Sequence, residues 1–338
     1  MTWHDIIPKI ELHLHMEGAI PYEGMWALIE KYGPVAEVPD LPALIERFTF
    51  RDFPHFIDTW MWKNRYIRTL EDFTFIAESV ARNLKDQNIK YAEVFYSPSD
   101  FAFLGLNPQS ITVAIRQGLA RISGIKIVLV ADLVRGSDPK MADQTLSAIY
   151  EVRDKDVVGV GLGGSEQKYP PEIFTKVFER ARQLGFHTTV HAGEAAGAES
   201  VWSALRNLKP ERIGHGTRAA EDPYLVDYLA IHQIPIEMCP LSNIKTGVVH
   251  SMSSHPIRQF FDHGLLVSVN TDDPLMFGNS LADEFRQLES HLGFNPLEIQ
   301  TLIRNSIQSS WLPADQKKAL EWKILSDQSW SNLSGGIK

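Results

Sequence analysis

The sequence has little cysteine, an excess of negative charge and no long apolar run. Of its 338 residues only Cys239 is a cysteine, so an intrachain disulfide and a cysteine-rich zinc site are excluded. Lysine and arginine number 33 against 42 aspartates and glutamates, a formal net charge of −9. This balance argues against a protein that coats nucleic acid, because phosphate binding needs a basic surface, but it still allows a small nucleoside as ligand. A run of ~18 apolar residues, which a membrane-spanning helix needs, is absent.

Targeting and linker features are also missing. Residues 1–8 lack the basic start and apolar centre of a secretory signal peptide. No glycine- or serine-rich linker and no low-complexity tract divides the chain. We therefore expect a cytoplasmic protein in which residues 1–338 form a single domain with a large core.

Short apolar segments rich in β-branched residues alternate with segments of helical period, such as residues 171–184 and 200–208. This alternation predicts a parallel sheet with right-handed crossovers, and eight such units predict an α/β fold of the closed (β/α)8 TIM barrel type. The alternative is an open doubly wound sheet, which the lack of a G-x-G-x-x-G motif after an early strand disfavours. The predicted strands are 10–15, 89–97, 125–133, 157–164, 187–191, 212–216, 235–240 and 266–270.

Residues 39–75 interrupt the alternation of strand-like and helical segments, because they are rich in aromatic side chains and helical in character. We expect a helical insertion after strand 1. It either packs against the core as an extra layer or caps the mouth of the barrel, and both interpretations can hold together. The stretch after Leu312 is predicted to be a solvated helix followed by a frayed tail.

The strongest chemical signal is the sequence ELHLH at residues 11–15. Side chains at i and i+2 of a strand share a face, so His13 and His15 point in the same direction. Two neighbouring imidazoles suit a divalent transition metal. Two histidines on one strand face are also common on protein surfaces, so this motif alone is a modest signal.

Three further strands end in residues suited to chemistry. His191 and Glu194 follow the fifth predicted strand, His215 lies between two glycines at the end of the sixth, and Asp272 and Asp273 follow the eighth. Each has a structural alternative. Glu194 can stabilise the start of a helix, a lone histidine can be packed in the core, and paired aspartates before proline can form a turn.

A purely structural explanation requires all of these alternatives to be correct at once, which is less plausible than any one of them alone. A (β/α)8 barrel brings the carboxyl ends of its strands into one mouth, where such enzymes place their catalytic side chains. Three histidines and one aspartate leave a coordination position for water, as in catalytic rather than structural zinc sites. Zinc lowers the pKa of bound water from 15.7 toward ~7, which supplies hydroxide at neutral pH.

Six short segments together resemble the adenosine/adenine deaminase family of the metal-dependent amidohydrolases. They occur in the family's order over nearly the whole chain, so the set is far more specific than any single motif. The segments are IELHLHMEGA (10–19), GVGLGGSE (159–166), TVHAGE (189–194), RIGHG (212–216), CPLSN (239–243) and NTDDP (270–274).

The resemblance implies hydrolytic deamination of a 6-aminopurine with one Zn²⁺ ion per chain. The zinc ligands would be His13, His15, His191 and Asp272, although iron in place of zinc is left open. Glu194 would deliver a proton to purine N1, and His215 would hold the attacking water and help to deprotonate it. Asp273 would accept a hydrogen bond from the attacking hydroxide or contact purine N7, and the backbone N–H of Gly164 would meet purine N3. Since general acid–base catalysis contributes only ~10²–10⁴-fold, zinc and positioning must supply the rest.

The substrate is less clear, because two features point in opposite directions. Glu17 stands where nucleoside-specific members of the family usually have an aspartate that contacts the ribose 5′-hydroxyl. A glutamate reaches further, so it would either bind that end of the substrate or fill the ribose space, as suits adenine. Gly164, by contrast, is the glycine expected in a nucleoside pocket. We expect adenosine, 2′-deoxyadenosine or a 5′-modified adenosine, with adenine as the alternative.

Other classes of protein are disfavoured. A cytidine-type deaminase needs further cysteines, and a binuclear amidohydrolase needs a bridging ligand that the end of strand four does not supply. A catalytically inactive purine-binding relative is the remaining alternative, although none of the expected ligand or catalytic positions is substituted. We expect a small-molecule purine as partner, with no nucleic acid and no membrane, and the oligomeric state stays open.

Overall fold

The chain forms an eight-stranded parallel barrel in a computed structural model that describes residues 2–33, 36–136 and 138–330. Each strand pairs in parallel with the next one along the chain. The predicted (β/α)8 TIM barrel is confirmed, with all eight predicted strands present. The strands are β1 (Lys9–His15), β2 (Ile89–Tyr96), β3 (Lys126–Asp132), β4 (Val157–Gly161), β5 (His187–Ala192), β6 (Arg212–His215), β7 (Ile236–Met238) and β8 (Val267–Val269).

Helices occupy the connections between the strands, and their apolar faces join the strands in one hydrophobic core. None of the helices in the described ranges is both long and apolar enough to cross a membrane. The helices are α1 (Trp3–Ile6), α2 (Tyr22–Tyr32), α3 (Leu41–Arg47), α4 (Phe53–Asn64), α5 (Leu70–Asp86), α6 (Pro108–Leu119), α7 (Pro139–Glu151), α8 (Thr175–Gln183), α9 (Ala198–Ser203), α10 (Pro223–His232), α11 (Pro240–Lys245), α12 (Ile257–Asp262), α13 (Pro274–Phe277), α14 (Leu281–Leu292), α15 (Pro296–Ser309) and α16 (Ala314–Leu325).

Shorter helical turns complete several connections. The predicted helix 171–184 is a 3₁₀ turn that continues into α8, and the predicted helix 200–208 is α9 followed by a π-helical turn. The solvated helix predicted after Leu312 is α16, whereas most of the predicted tail, 331–338, lies outside the described residues. The 3₁₀ and π segments are Pro98–Leu104, Pro171–Phe174, Ala204–Leu208, Thr217–Glu221 and Met252–Ser254.

The barrel closes where the chain leaves β8 and meets β1. The backbone N–H of His15 donates to the carbonyl of Asp272 (2.9 Å), and the N–H of Asp272 donates to the carbonyl of His13 (3.0 Å). Closure therefore joins the first and last segments of the predicted metal site directly.

The fourth strand is shorter than predicted and ends at Gly161. Just beyond the strand, the backbone N–H of Gly163 donates to the Asp132 carboxylate at 2.7 Å. Gly164 follows with φ of +100°, a conformation that residues with a Cβ rarely adopt. A side chain at Gly164 would also place its Cβ only 2.6 Å from the Arg135 carbonyl.

The helical insertion predicted at residues 39–75 is present as α3, α4 and the start of α5, and α2 precedes it. Helix α4 begins at an Asp52 cap that accepts the N–H of His55 (2.8 Å), and α5 begins with a capping box between Thr69 and Asp72. Side chains of this segment, Phe56 among them, belong to the main core, so it forms an extra packed layer. Helix α4 also reaches over the end of the barrel.

Candidate active site

A cavity of about 450 Å³ opens at the barrel end where the strands terminate. His13 is fully buried beside it and packs against the rings of His15 and His191. The residues of the sequence prediction that line the cavity are His15, Gly164, His191, Glu194, His215, Asp272 and Asp273.

The imidazoles and one carboxylate converge at the floor of this cavity. The Nε2 atom of His191 lies 3.0 Å from that of His13 and 3.2 Å from that of His15. An Asp272 carboxylate oxygen lies 3.6 Å from His13 Nε2 and 3.4 Å from His15 Nε2. Ligand atoms of His13, His191, His215 and Asp272 also lie within 4.8 Å of one another. The structure thus brings the four predicted ligands and His215 together.

This donor set fits a metal ion. Ligand atoms ~2.0–2.2 Å from a tetrahedral ion lie roughly 3.3–3.6 Å apart, close to the spacing observed here. Burial lowers the pKa of His15 and His191 well below the ordinary histidine value, which favours the neutral form that binds metals. Ring nitrogens that face each other at such short range are best satisfied by a shared cation.

A second layer of side chains holds the ligands in place. The Nδ1 atom of His13 lies 2.8 Å from a carboxylate oxygen of Glu237, and both side chains are fully buried. The hydroxyl of Ser242 donates to Asp272 at 2.7 Å. Such contacts orient ligands and fix the tautomer of a metal-binding histidine. No pattern in the sequence marks Glu237, because it is a single glutamate on a short strand.

Glu166, in the GVGLGGSE segment, holds the turn that carries Glu194, although the sequence alone gave it no role. The Glu166 carboxylate accepts backbone N–H groups from Gly193 (2.7 Å), Glu194 (3.2 Å) and Ala196 (2.9 Å). Arg135 donates to the carbonyl of His191 at 2.6 Å. The only sequence signal was the position of Glu166 just after the fourth strand.

Two acidic groups in the cavity are set up for proton chemistry. Burial raises the pKa of Glu194 well above its ordinary value, and the charges of Asp272 and Glu166 raise it further. Burial and the Asp272 charge likewise raise the pKa of Asp273. One Asp273 oxygen is buried without a hydrogen-bond partner among the described residues. Gly18 packs so tightly on it that a Cβ there would lie 1.7 Å from this oxygen.

The backbone is unusual at two of these positions. His215 and Asp272 have φ of 59° and 63°, in the left-handed region that β-carbon sterics disfavour. One residue ends β6 and the other follows β8. Conformations of this kind persist only where the surrounding structure imposes them, and they cluster at functional sites.

Glu17 lies behind the cavity wall. Its carboxylate accepts the backbone N–H of Ser97 at 3.0 Å, its second oxygen has no partner among the described residues, and the wall itself includes Ser97 and Asn64. The buried Lys63 donates from Nζ to the carbonyl of Glu17 and to the side chain of Asn64, each at 2.8 Å. No pattern in the sequence marks Lys63, because it lies in the insertion, 46 residues from Glu17.

Helix α4 forms the outer wall of the cavity, which confirms that the insertion caps the barrel mouth. Its contribution is mostly apolar and aromatic, whereas the barrel end contributes the polar groups. The lining residues of α4 are Phe53, Phe56, Ile57, Trp60, Met61 and Asn64.

Comparisons with known proteins agree with this geometry. A sequence profile of the family described as adenosine deaminase matches residues 8–326. An adenine deaminase of Bordetella avium is 34% identical over 91% of this chain and 98% of its own length. An aminodeoxyfutalosine deaminase of Streptomyces avermitilis is 36% identical over 94% of this chain and 90% of its own length. The crystal structure of a Burkholderia ambifaria amidohydrolase with bound zinc superposes with a TM-score of 0.88 at 27% identity, and the match covers 98% of this chain and 93% of the other.

The profile match extends over most of the barrel and includes the Glu194 turn and the candidate metal cluster, which consists of His13, His15, His191, His215 and Asp272. The family resemblance expected from six short segments is therefore confirmed along the chain. This protein belongs to the adenosine deaminase family and is a deaminase, a hydrolase that acts on C–N bonds.

Proposed function

We propose that the protein catalyses the zinc-dependent hydrolytic deamination of a 6-aminopurine, with one zinc ion per chain. The observation that carries the proposal is the position of Glu194, a buried acid of raised pKa in the same cavity as the metal cluster. The water oxygen forms a bond to C6 and the C6–N bond breaks. One proton of the water leaves with the amino group as ammonia, and the other balances the proton that stays on N1 of the product. The product is the corresponding 6-oxopurine.

His13, His15, His191 and Asp272 would hold the zinc, which would lower the pKa of water enough to provide hydroxide at neutral pH. Glu194, kept protonated by burial, delivers its proton to purine N1 and so makes C6 more electrophilic. The Asp273 carboxylate would accept a hydrogen bond from the attacking water or contact purine N7. The backbone N–H of Gly164 meets purine N3.

We assign a substituted purine as the first choice of substrate: adenosine, 2′-deoxyadenosine or a 5′-modified adenosine. A cavity of about 450 Å³ falls within the ~300–1,000 Å³ range of sites for drug-sized ligands and exceeds what a bare base needs. The apolar wall of helix α4 offers contacts to a group attached at N9. Adenine is the second candidate, favoured by the relative named adenine deaminase.

A panel of substrates tests this assignment. Ammonia release would be measured with adenosine, 2′-deoxyadenosine, adenine and aminodeoxyfutalosine, alongside the zinc content of the same sample. We expect turnover of at least one of these purines and the highest kcat/KM for an N9-substituted one. A higher kcat/KM for adenine would reverse the order of the two candidates. A zinc-loaded protein that deaminates none of them would support the inactive purine-binding alternative.

The cytoplasmic location and the single domain over residues 1–338 stay part of the proposal. The only partner that we propose is the small-molecule purine, without nucleic acid or membrane.

A further inference from the structure

The CPLSN segment contains a residue that the proposed chemistry does not use. Asn243 lies in α11 and is completely buried. Its side-chain nitrogen lies 3.2 Å from Nδ1 of His215. Its side-chain oxygen lies 2.8 Å from the Thr217 hydroxyl and 3.2 Å from Nε2 of His255. The amide of Asn243 therefore connects two histidines, and its orientation determines which nitrogen of each carries a proton.

A backbone group fixes the direction of this chain of hydrogen bonds. The N–H of Ile257 points at Nδ1 of His255 at 3.3 Å, so that nitrogen must accept. Burial lowers the pKa of His255 to about 3, so the ring is neutral at physiological pH. Its single proton is then on Nε2, which donates to the oxygen of Asn243.

The orientation of Asn243 in turn determines which ring nitrogen of His215 carries the proton. With its oxygen accepting from His255 and Thr217, Asn243 presents its NH₂ group to His215, and Nδ1 of His215 must accept. The remaining ring nitrogen, Nε2, then carries the proton. It lies 3.7 Å from a Glu194 oxygen and 3.9 Å from an Asp272 oxygen, surroundings that favour an N–H group over a lone pair.

We infer that Asn243 and His255 are positioning residues that lock His215 in the tautomer protonated on Nε2. In this state His215 holds the attacking water by donating a hydrogen bond from Nε2 and does not take a proton from it. A proton on Nδ1 would place two N–H groups against each other. This inference rests on the proposed function for the identity of the reaction, but the tautomer itself is a property of the folded protein.

The first test is the tautomer in the zinc-loaded wild-type enzyme. Nitrogen-15 NMR of the histidine rings distinguishes protonated from bare ring nitrogens, and the spectrum of His215→Gln identifies the His215 signals. We expect Nε2 protonated and Nδ1 bare. A proton on Nδ1 would overturn the inference, even if Asn243 variants failed to fold.

The second test reverses one hydrogen bond. In Asn243→Asp the carboxylate can only accept, so it draws the His215 proton to Nδ1. We expect kcat to fall by ~10–100-fold, a typical cost of changing an outer-shell partner, with zinc content retained. Asn305→Asp is the matched control, because Asn305 is half-buried and donates to the carbonyl of Val267, outside the cavity lining. An Asn243→Asp enzyme with wild-type kcat would contradict the inference.

Two substitutions at His255 distinguish the effect of its hydrogen bond to Asn243 from that of its packing. The side-chain N–H of glutamine in His255→Gln can donate to Asn243, whereas His255→Leu leaves the amide free to rotate. We expect kcat of the glutamine variant within about threefold of wild type and that of the leucine variant ~10–100-fold lower. Equal losses in both variants would show a packing role only. If the wild-type enzyme released ammonia from no purine, the proposed function would fail, while the NMR result would still decide the tautomer.

Discussion

Glu237 and His13 form a buried pair in which Nδ1 of the imidazole donates to the carboxylate at 2.8 Å. This contact leaves Nε2 of His13 with a lone pair directed at the metal cluster. The other oxygen of Glu237 meets Arg212 at 2.5 Å, and Arg212 in turn meets Glu93 at 2.7 Å. A network of charges under the barrel floor thereby supports one of the predicted metal ligands.

This network offers a matched pair of variants. Glu237→Gln should weaken zinc binding by ~10–100-fold, because it removes the negative charge behind His13. Glu93→Gln removes a charge from the same arginine without touching His13, so zinc binding should stay unchanged. Competition with a chromogenic chelator measures both. Equal weakening in the two variants would mean that Arg212, and not the His13 contact, supports the site.

Substitution of the predicted ligands tests the metal centre itself. Purified protein should contain about one zinc per chain, and His13→Ala, His15→Ala or Asp272→Ala should lose zinc and activity together. His215→Ala should keep its zinc, because we expect this histidine to hold water. Elemental analysis and ammonia release measure the two properties. Full activity in a metal-free sample would refute the metal-dependent mechanism.

Glu194→Gln should keep zinc and lose at least ~10²-fold in kcat, the lower range for loss of a general acid. Burial and nearby carboxylates raise the pKa of Glu194, so the acid form persists to higher pH than in an ordinary glutamate and is lost as pH rises further. The wild-type kcat should therefore decrease on the alkaline side. The residual rate of the variant should lack that decrease, since glutamine does not titrate. Near wild-type turnover with zinc bound would show that the assigned role is wrong.

Glu17 is expected to decide between nucleoside and base. If its free carboxylate oxygen accepts a hydrogen bond from the 5′ end of a nucleoside, that bond contributes ~1.5–3 kcal/mol. Glu17→Ala should then lower kcat/KM for adenosine by ~10–100-fold and leave adenine almost unchanged. A gain for adenosine would mean that the glutamate, from behind the wall, narrows the space for the ribose. An equal change for both substrates would exclude either role and point to the wall of helix α4.

Local sequence patterns predicted the strands and most of the metal cluster, because these depend on short spacings. His13 and His15 are two residues apart on one strand, and strand ends in a barrel converge whatever the loops do. The contacts of Glu237 with Arg212 and of Asn243 with His215 depend instead on the register of neighbouring strands and loops. No spacing in the sequence encodes such a register.

Sequence patterns also do not predict the backbone conformation at the site or how the insertion packs on the barrel. Aromatic content indicated that residues 39–75 are helical, but it did not show that Lys63 would be buried with its amine on the carbonyl of Glu17. Nor did the sequence indicate the left-handed backbone of His215 and Asp272, since non-glycine residues seldom adopt it. These features arise only when distant segments are packed together.

Helix α4 supplies the apolar wall of the cavity and the strand ends supply its polar groups. This separation has a consequence for the evolution of this enzyme. The apolar wall comes from one uninterrupted stretch of chain, whereas the metal-cluster residues and Glu194 lie outside it. Exchange of that stretch between relatives would change which purines are accepted and leave the hydrolytic machinery untouched. The graft has to preserve the contacts of that stretch with the barrel end. Among them are the Lys63 amine on the carbonyl of Glu17, the Trp60 ring 6.0 Å from that of His15, and the stacking of Phe56 on Phe277 at 5.3 Å between centroids.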